Sequence, residues 1–127
     1  MRRYLAAMRG GARETGYGFY AEDIVFHIPG RSRFAGTHRG RDAAVRYIES
    51  AIALSHRGDV EVELVDMLAG EERVALIVCE RFDRDDGVVE IRRCNVYRLR
   101  REDIVEVWIF EADQYEVDVL LADTGEA

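Results

Sequence analysis

Tyr20-Ala21-Glu22-Asp23-Ile24-Val25-Phe26-His27-Ile28-Pro29-Gly30-Arg31-Ser32, followed by Phe34-Ala35-Gly36-Thr37-His38-Arg39-Gly40-Arg41-Asp42-Ala43, is the stretch that decides the fold. It reads as the end of a helix, a strand over residues 24–28 and a polar loop, then a new helix capped near Asp42. Pro29 stops the strand because it has no N–H to give to a ladder. His27 is thereby set at a strand end beside a polar loop.

Outward from that stretch, the pattern before it is helical. Residues 1–10 place Tyr4, Leu5 and Met8 on one face, and Gly10-Gly11 ends the run. A second short helix is expected over 12–20, weakened by Gly16 and Gly18, each costing about 1 kcal/mol. After the loop, Ala44, Tyr47, Ile48, Ala51 and Ile52 recur at spacings of three and four, a helix from Asp42 to about Leu54.

From Val60 the period changes to two. Strands are expected over about 60–69, 73–84, 88–100 and 103–112, separated by Gly70-Glu71-Glu72, Asp85-Asp86-Gly87 and Arg101-Glu102-Asp103. Residues 113–122 form a short terminal helix or an ordered arm. Helices first and an antiparallel meander after them make an α+β domain, one unit over residues 1–127.

Pairing about Asp85-Asp86-Gly87, with residue numbers summing to about 172, gathers Ala75, Ile77, Cys79 and Arg81 with Arg93, Asn95, Tyr97 and Leu99. Polar Arg93 and Asn95 among apolar neighbours then resemble a pocket wall, and Glu80 faces Arg92 on the other side. In the last strand Trp108 and Phe110 oppose Val107, Ile109 and Glu111, and alternation leaves open which set turns inward. In residues 74–79 both faces are apolar, so the outer sheet face needs a cover. A second copy of the chain is the simplest one, giving a homodimer through that face.

Composition narrows the classes of function. The chain of 127 residues is 48% apolar and 34% charged, as in ordinary globular proteins. A net charge of −7 argues against nucleic acid and anionic membranes as partners, despite arginines at 2, 3, 9, 13, 31, 33, 39 and 41. No run approaches the roughly 20 apolar residues of a membrane span, and a cytoplasmic, reducing location with Cys79 and Cys94 as thiols is expected. No metal-ligand spacing or phosphate loop is present, so no cofactor is expected.

The stretch from Tyr20 to Ala43 resembles the SnoaL-like branch of the nuclear transport factor 2-like superfamily. That resemblance implies a cone-shaped fold, a curved antiparallel sheet packed on N-terminal helices and enclosing one pocket. The beginning, Arg3-Tyr4-Leu5-Ala6-Ala7 through Tyr20-Ala21-Glu22-Asp23, is similar to that of bacterial ketosteroid isomerases and aligns without a gap. In those enzymes a tyrosine and a protonated aspartic acid hold an enolate oxygen, and an aspartate before a proline is the base.

By that resemblance Tyr4 stands at the tyrosine position and Asn95 at the acid position, where an amide can still donate to a carbonyl. The base position holds Ile28, which cannot accept a proton, so the isomerase mechanism does not carry over. His27, Glu111 and Asp113 are the candidates to replace it, and Phe26, Ile28, Ile77, Arg93, Tyr97 and Trp108 the candidate ligand contacts. Tyr4 is alternatively a core tyrosine, Asn95 a strand-satisfying amide and His27 a partner of the 30–36 loop backbone.

The implied functions are three. One is cofactor-free acid–base chemistry, of isomerase, cyclase, dehydratase or hydrolase type, on an apolar carbonyl-bearing metabolite. The second is non-catalytic capture of a small apolar molecule. The third is a dimerising accessory domain with a filled pocket.

Overall fold

A computed structural model describes residues 1–56 and 60–122. Three helices and two strands come before the meander: α1 (Arg2–Arg9), α2 (Arg13–Tyr17), β1 (Tyr20–Ile28), β2 (Gly36–Arg39) and α3 (Arg41–Ile52). Then follow β3 (Glu61–Ala69), β4 (Arg73–Arg84), β5 (Gly87–Arg100), β6 (Asp103–Glu111) and α4 (Gln114–Ala122). The class is α+β, as expected from helices preceding a period-two region.

Six strands form one sheet in the order β2-β1-β6-β5-β4-β3. All neighbours run antiparallel except β1 and β6, which pair in parallel, Phe26 against Val107 and His27 against Trp108. Irregular register between Tyr20 and Val25 on β1, Leu64 and Asp66 on β3, and Arg98 and Leu99 on β5 curves the sheet.

Helices α1 and α3 lie on the concave face. Their apolar sides bury Tyr4, Leu5, Ala44 and Tyr47 against Phe26, Leu76, Val78 and Val107 in one continuous core. Helix α2 packs tightly on α1 at Gly16, where an added Cβ would lie 2.5 Å from Met8 Sδ. The weak helix former is therefore kept for contact, and the helix ends at Tyr17 rather than residue 20.

Several boundaries differ from the sequence expectation for physical reasons. Tyr20 begins β1 rather than ending a helix, since it ladders with Ile104 and its side chain is fully buried. Gly36–Arg39 forms β2 along the open edge of β1 instead of a loop, Thr37 opposite His27. Helix α3 starts with Gly40 as its N-cap, and Asp42 sits inside the first turn, favourable to the helix dipole but not a cap.

The most consequential difference is a single residue of register. Arg84 pairs with Gly87, so the turn spans only Asp85-Asp86 and paired numbers sum to 171. Even-numbered residues of β4 then share a face with odd-numbered residues of β5. Leu76 faces Asn95, Val78 faces Arg93 and Glu80 faces Ile91, all toward the helices. Ile77 pairs with Cys94 on the outer face, away from Arg93 and Asn95.

Helix α4 closes the open end of the sheet, packing Val117, Leu120 and Leu121 on Leu54, Phe82 and Ile91. Its Asp118 accepts a bond from the Arg31 N–H (3.2 Å) and touches Gln114. Gly30 passes beneath with φ +96°, where any Cβ would collide with Asp118 and Gln114. Among the described residues no helix is long and apolar enough to cross a membrane.

Candidate ligand pocket

Between the helices and the concave sheet face lies a cavity of about 130 Å³. Helix α1 contributes Tyr4, Leu5 and Met8, α3 contributes Tyr47, Ile48 and Ile52, and the sheet supplies Phe26, Leu76, Val78 and Val107. Four polar side chains from β4 and β5 interrupt this apolar wall: Glu80, Arg93, Asn95 and Tyr97. Arg9 and Arg13 stand at its more exposed rim, Arg13 beside Glu49 at 3.5 Å. A few polar groups in a concave apolar wall are the general form of a small-molecule site.

One group of polar atoms is phenolic. The hydroxyls of Tyr4 and Tyr20 are 2.7 Å apart in the buried core, and the Tyr4 and Tyr97 rings meet edge to face at 5.7 Å. Burial, reinforced by neighbouring phenols, holds the hydroxyls of Tyr4 and Tyr97 well above the usual tyrosine range. Burial does the same for Tyr20, against the bond from Tyr4. All three therefore act as neutral donors near pH 7. Asn95 Nδ2 donates to the Tyr97 hydroxyl at 3.5 Å, while Asn95 Oδ1 is buried without a partner. The amide nitrogen anticipated from sequence as a donor to the cavity is thus directed to Tyr97.

The second group is ionic. Arg93 grips Glu111 with two bonds, Nε to Oε1 at 2.9 Å and Nη2 to Oε2 at 2.6 Å, and its Nη1 donates to Glu80 Oε1 at 3.2 Å. The Glu111 side chain is only 2% exposed and Glu80 16%. Burial pushes the Glu111 carboxyl above its ordinary value, and Arg93 pulls it only partly back. Burial would lower the Arg93 guanidinium, but Glu80, Tyr47 and Glu111 outweigh it and hold the charge more firmly than usual. Two carboxylates and one guanidinium leave a formal charge of −1 in this cluster when both are ionised.

The residues singled out from sequence divide by the register of β4 and β5. Tyr4, Phe26, Arg93, Asn95 and Tyr97 line the cavity. Glu111 lies behind Arg93, and Ile28 is buried in the core without reaching the cavity wall. Ile77 and Trp108 point to the outer face, a correction that follows from the pairs Ile77–Cys94 and Val96–Trp108. Asp113 is exposed and accepts the Glu116 N–H (3.1 Å), the role of a cap at the start of α4.

His27 is also on the outer face, as alternation from inward Phe26 and Ile28 demands. There it stacks on Trp108 (5.5 Å, 15°) and donates from Nε2 to Glu106 Oε2 at 2.6 Å. Arg98 holds the other oxygen of Glu106 at 3.1 Å. Trp108 is covered from a second direction by Arg73, 5.3 Å from its ring.

Glu80 is the pocket residue that sequence reading assigned elsewhere. It was expected to pair with Arg92 on the opposite face; with the register at 171 it bonds Arg93 on the concave face. The available signal was its place in Val74, Leu76, Val78, Glu80, Phe82, a lone acid in an apolar run of period two. Among the described residues no group of three His, Cys, Asp or Glu side chains is arranged to hold a metal ion.

Comparison with known proteins agrees with this architecture. Residues 1–107 match the family profile described as a SnoaL-like domain. Bal32a, from a soil-derived mobile gene cassette, superposes with a TM-score of 0.83 at 26% identity, covering 94% of this chain and 92% of that one. A cystatin-like-fold protein of unknown function from Xanthomonas campestris gives 0.82 at 25% identity, covering 93% and 92%. An NTF2-like protein from Burkholderia xenovorans gives 0.69 at 24% identity, covering 93% and 89%. No curated protein matches the sequence significantly.

Proposed function

The chain belongs to the SnoaL-like family, matched over residues 1–107, and from that premise we propose that its cavity binds a small, mostly apolar molecule through one polar head group. The observation that carries this is the cavity itself, about 130 Å³ between the helices and the concave sheet face, with a mostly apolar wall in which Glu80, Arg93, Asn95 and Tyr97 are grouped on β4 and β5.

Native mass spectrometry of freshly purified protein tests the reading. The expected spectrum contains a retained small molecule that Asn95→Leu holds less well, since leucine keeps the volume and removes a polar group from the cavity wall. A wild-type mass equal to that of the bare chain would count against ligand capture.

A second reading, cofactor-free acid–base turnover of the bound molecule, is favoured by the position of Glu80. Its carboxylate lines the cavity, is tethered through one oxygen only, and acts electrostatically on Tyr4, Tyr47 and Tyr97. A base beside neutral phenol donors is the combination that proton transfer next to a polarised oxygen requires. Glu80 would take over the role that Ile28 cannot perform. On this reading wild type converts the retained molecule and Glu80→Gln returns it unchanged; a wild type that also returns it unchanged ends the reading.

The outer sheet face supports a homodimer. Leu68 is 54% and Phe110 56% exposed, and both share that face with Ala75, Ile77, Cys94, Val96 and Trp108. Rows of opposite charge, Glu61, Glu63 and Glu90 beside Arg81, border it. Wild type is expected to sediment at twice the chain mass, and Ile77→Lys with Phe110→Lys at one. Monomeric wild type at all concentrations would exclude this dimer.

A further inference from the structure

Resting on the homodimer reading above, we infer that the two copies stack their outer sheet faces with strands in opposite sense. The cationic end of each face then covers the acidic end of the other.

Register divides the outer face into three bands across the strands. The middle band is apolar and holds Ala75, Ile77, Cys94, Val96, Trp108 and Phe110. At one end stand Arg39, Arg73 and Arg98 with a single carboxylate, Glu106. Arg98 and His27 share that carboxylate, and Arg73 lies over the Trp108 ring. Among the described residues neither Arg39 nor Arg73 has an acidic partner. At the other end Glu61, Glu63 and Glu90 all turn to one cation, Arg81, while Arg92 touches Glu90 and Asp83 lies opposite Val88.

Leaving His27 aside, the first end carries a formal charge of +2 and the second −2. The hairpin ends beyond them do not cancel this difference. Glu71, Glu72, Arg101, Glu102 and Asp103 add −3 at the cationic end, and Asp85 and Asp86 add −2 at the other.

Apolar burial is non-directional, so the middle band alone would hold a second copy either way round. In a face-to-face pair the two-fold axis lies in the plane of contact, along the strands or across them. An axis along the strands stacks like ends, arginines on arginines and glutamates on glutamates. An axis across the strands, near the row of Ile77, Cys94 and Phe110, stacks opposite ends. It brings guanidiniums that lack an acid onto carboxylates that share one cation. Single exposed ion pairs are weak, but like charges set face to face suppress an arrangement strongly. Charge therefore decides what the apolar band leaves open.

Sedimentation equilibrium at about 50 mM salt tests the arrangement, because surface charges are little screened there. Arg73→Glu with Arg98→Glu is expected to weaken the dimer about tenfold or more, and Glu61→Lys with Glu63→Lys by a similar factor. All four changes in one chain exchange the two ends and should restore the wild-type constant to within about threefold. Arg73 and Arg81 are eight residues apart on β4, roughly 26 Å, so the ends reach each other only through the partner. Equal constants for all four proteins would mean that like ends meet. That result, or a fourfold variant as weak as its two halves combined, overturns the inference and leaves the dimer standing. Monomeric wild type removes both.

Cross-linking gives the same answer without reversing charges. Chains bearing Arg98→Cys and chains bearing Glu90→Cys, both with Cys94→Ala, are mixed and joined by a short bismaleimide, Cys79 being buried. Positions 98 and 90 lie four residues either side of Cys94, so opposed ends yield the mixed 98–90 product. Only 98–98 and 90–90 products, or none from a dimeric protein, overturn the inference.

Discussion

Replacing Arg93 with methionine is expected to destabilise the protein by about 3–5 kcal/mol, one of the two largest effects of any single substitution considered. Among the described residues Arg93 is the one cation that touches both Glu80 and Glu111, and it makes three charged hydrogen bonds to them. Methionine matches the stem of arginine but leaves two carboxylates close together in the apolar interior. Each would need to protonate or draw in water, and the fold bears that cost.

A companion variant shows where the energy resides. Arg93→Met combined with Glu80→Gln and Glu111→Gln removes every charge of the cluster at once, and its stability should lie within about 2 kcal/mol of wild type. Urea melts of both variants decide the matter. A single variant as stable as wild type would mean that the cluster is solvated and not a buried network. A triple variant as damaged as the single one would mean that Arg93 acts by packing rather than by charge.

Phe26→Ala is the other large effect, about 3–5 kcal/mol and a fall in Tm of roughly 10–20 °C. Phe26 is 3% exposed and meets the Tyr20 ring edge-on at 5.7 Å and the Tyr47 ring at 6.2 Å. Its removal costs the transfer of the ring, two aromatic contacts and a void. That void opens into an existing cavity, so the surrounding sheet cannot collapse to fill it. Toluene should recover part of the loss in the variant and have no comparable effect on wild type, since dry apolar cavities take up such molecules. A loss below about 1 kcal/mol would mean that the pocket wall relaxes freely.

The architecture was legible in the sequence wherever local pattern decides structure. Helical spacing at Ala44, Tyr47 and Ile48 gave α3 within a residue or two, and alternation gave β4 with both ends correct. The parallel pairing of β1 with β6 was not legible, because nothing in residues 20–28 names a partner some eighty positions away. The short edge strand β2 escaped for a related reason, since four residues are too few to show a period.

The site was legible by residue type and lost by register. Tyr4, Phe26, Arg93, Asn95 and Tyr97 stand out as polar or aromatic groups in apolar runs, and all five line the cavity. Ile77 was placed with them, and Glu80 away from them, by one assumption about the turn. Whether Gly87 belongs to the turn or to the ladder shifts the pairing by one residue, and composition does not reveal it. For His27 and Trp108 the missing information was orientation, because alternation along β1 and β6 fixes relative faces and not which face is concave.

The parallel seam between β1 and β6 also governs how the chain reaches its native state. Strands β3 to β6 are each neighbour to the next in sequence, so their partners are synthesised one after another. Strand β1, made first, has only the short β2 to pair with until residues 104–108 exist. Its apolar residues Ile24, Phe26 and Ile28 must wait through most of translation, and closing so long a loop is slow. Until that strand emerges the sheet edge of β1 that faces β6 has no partner, and an unpaired apolar edge of this kind is where nascent chains associate.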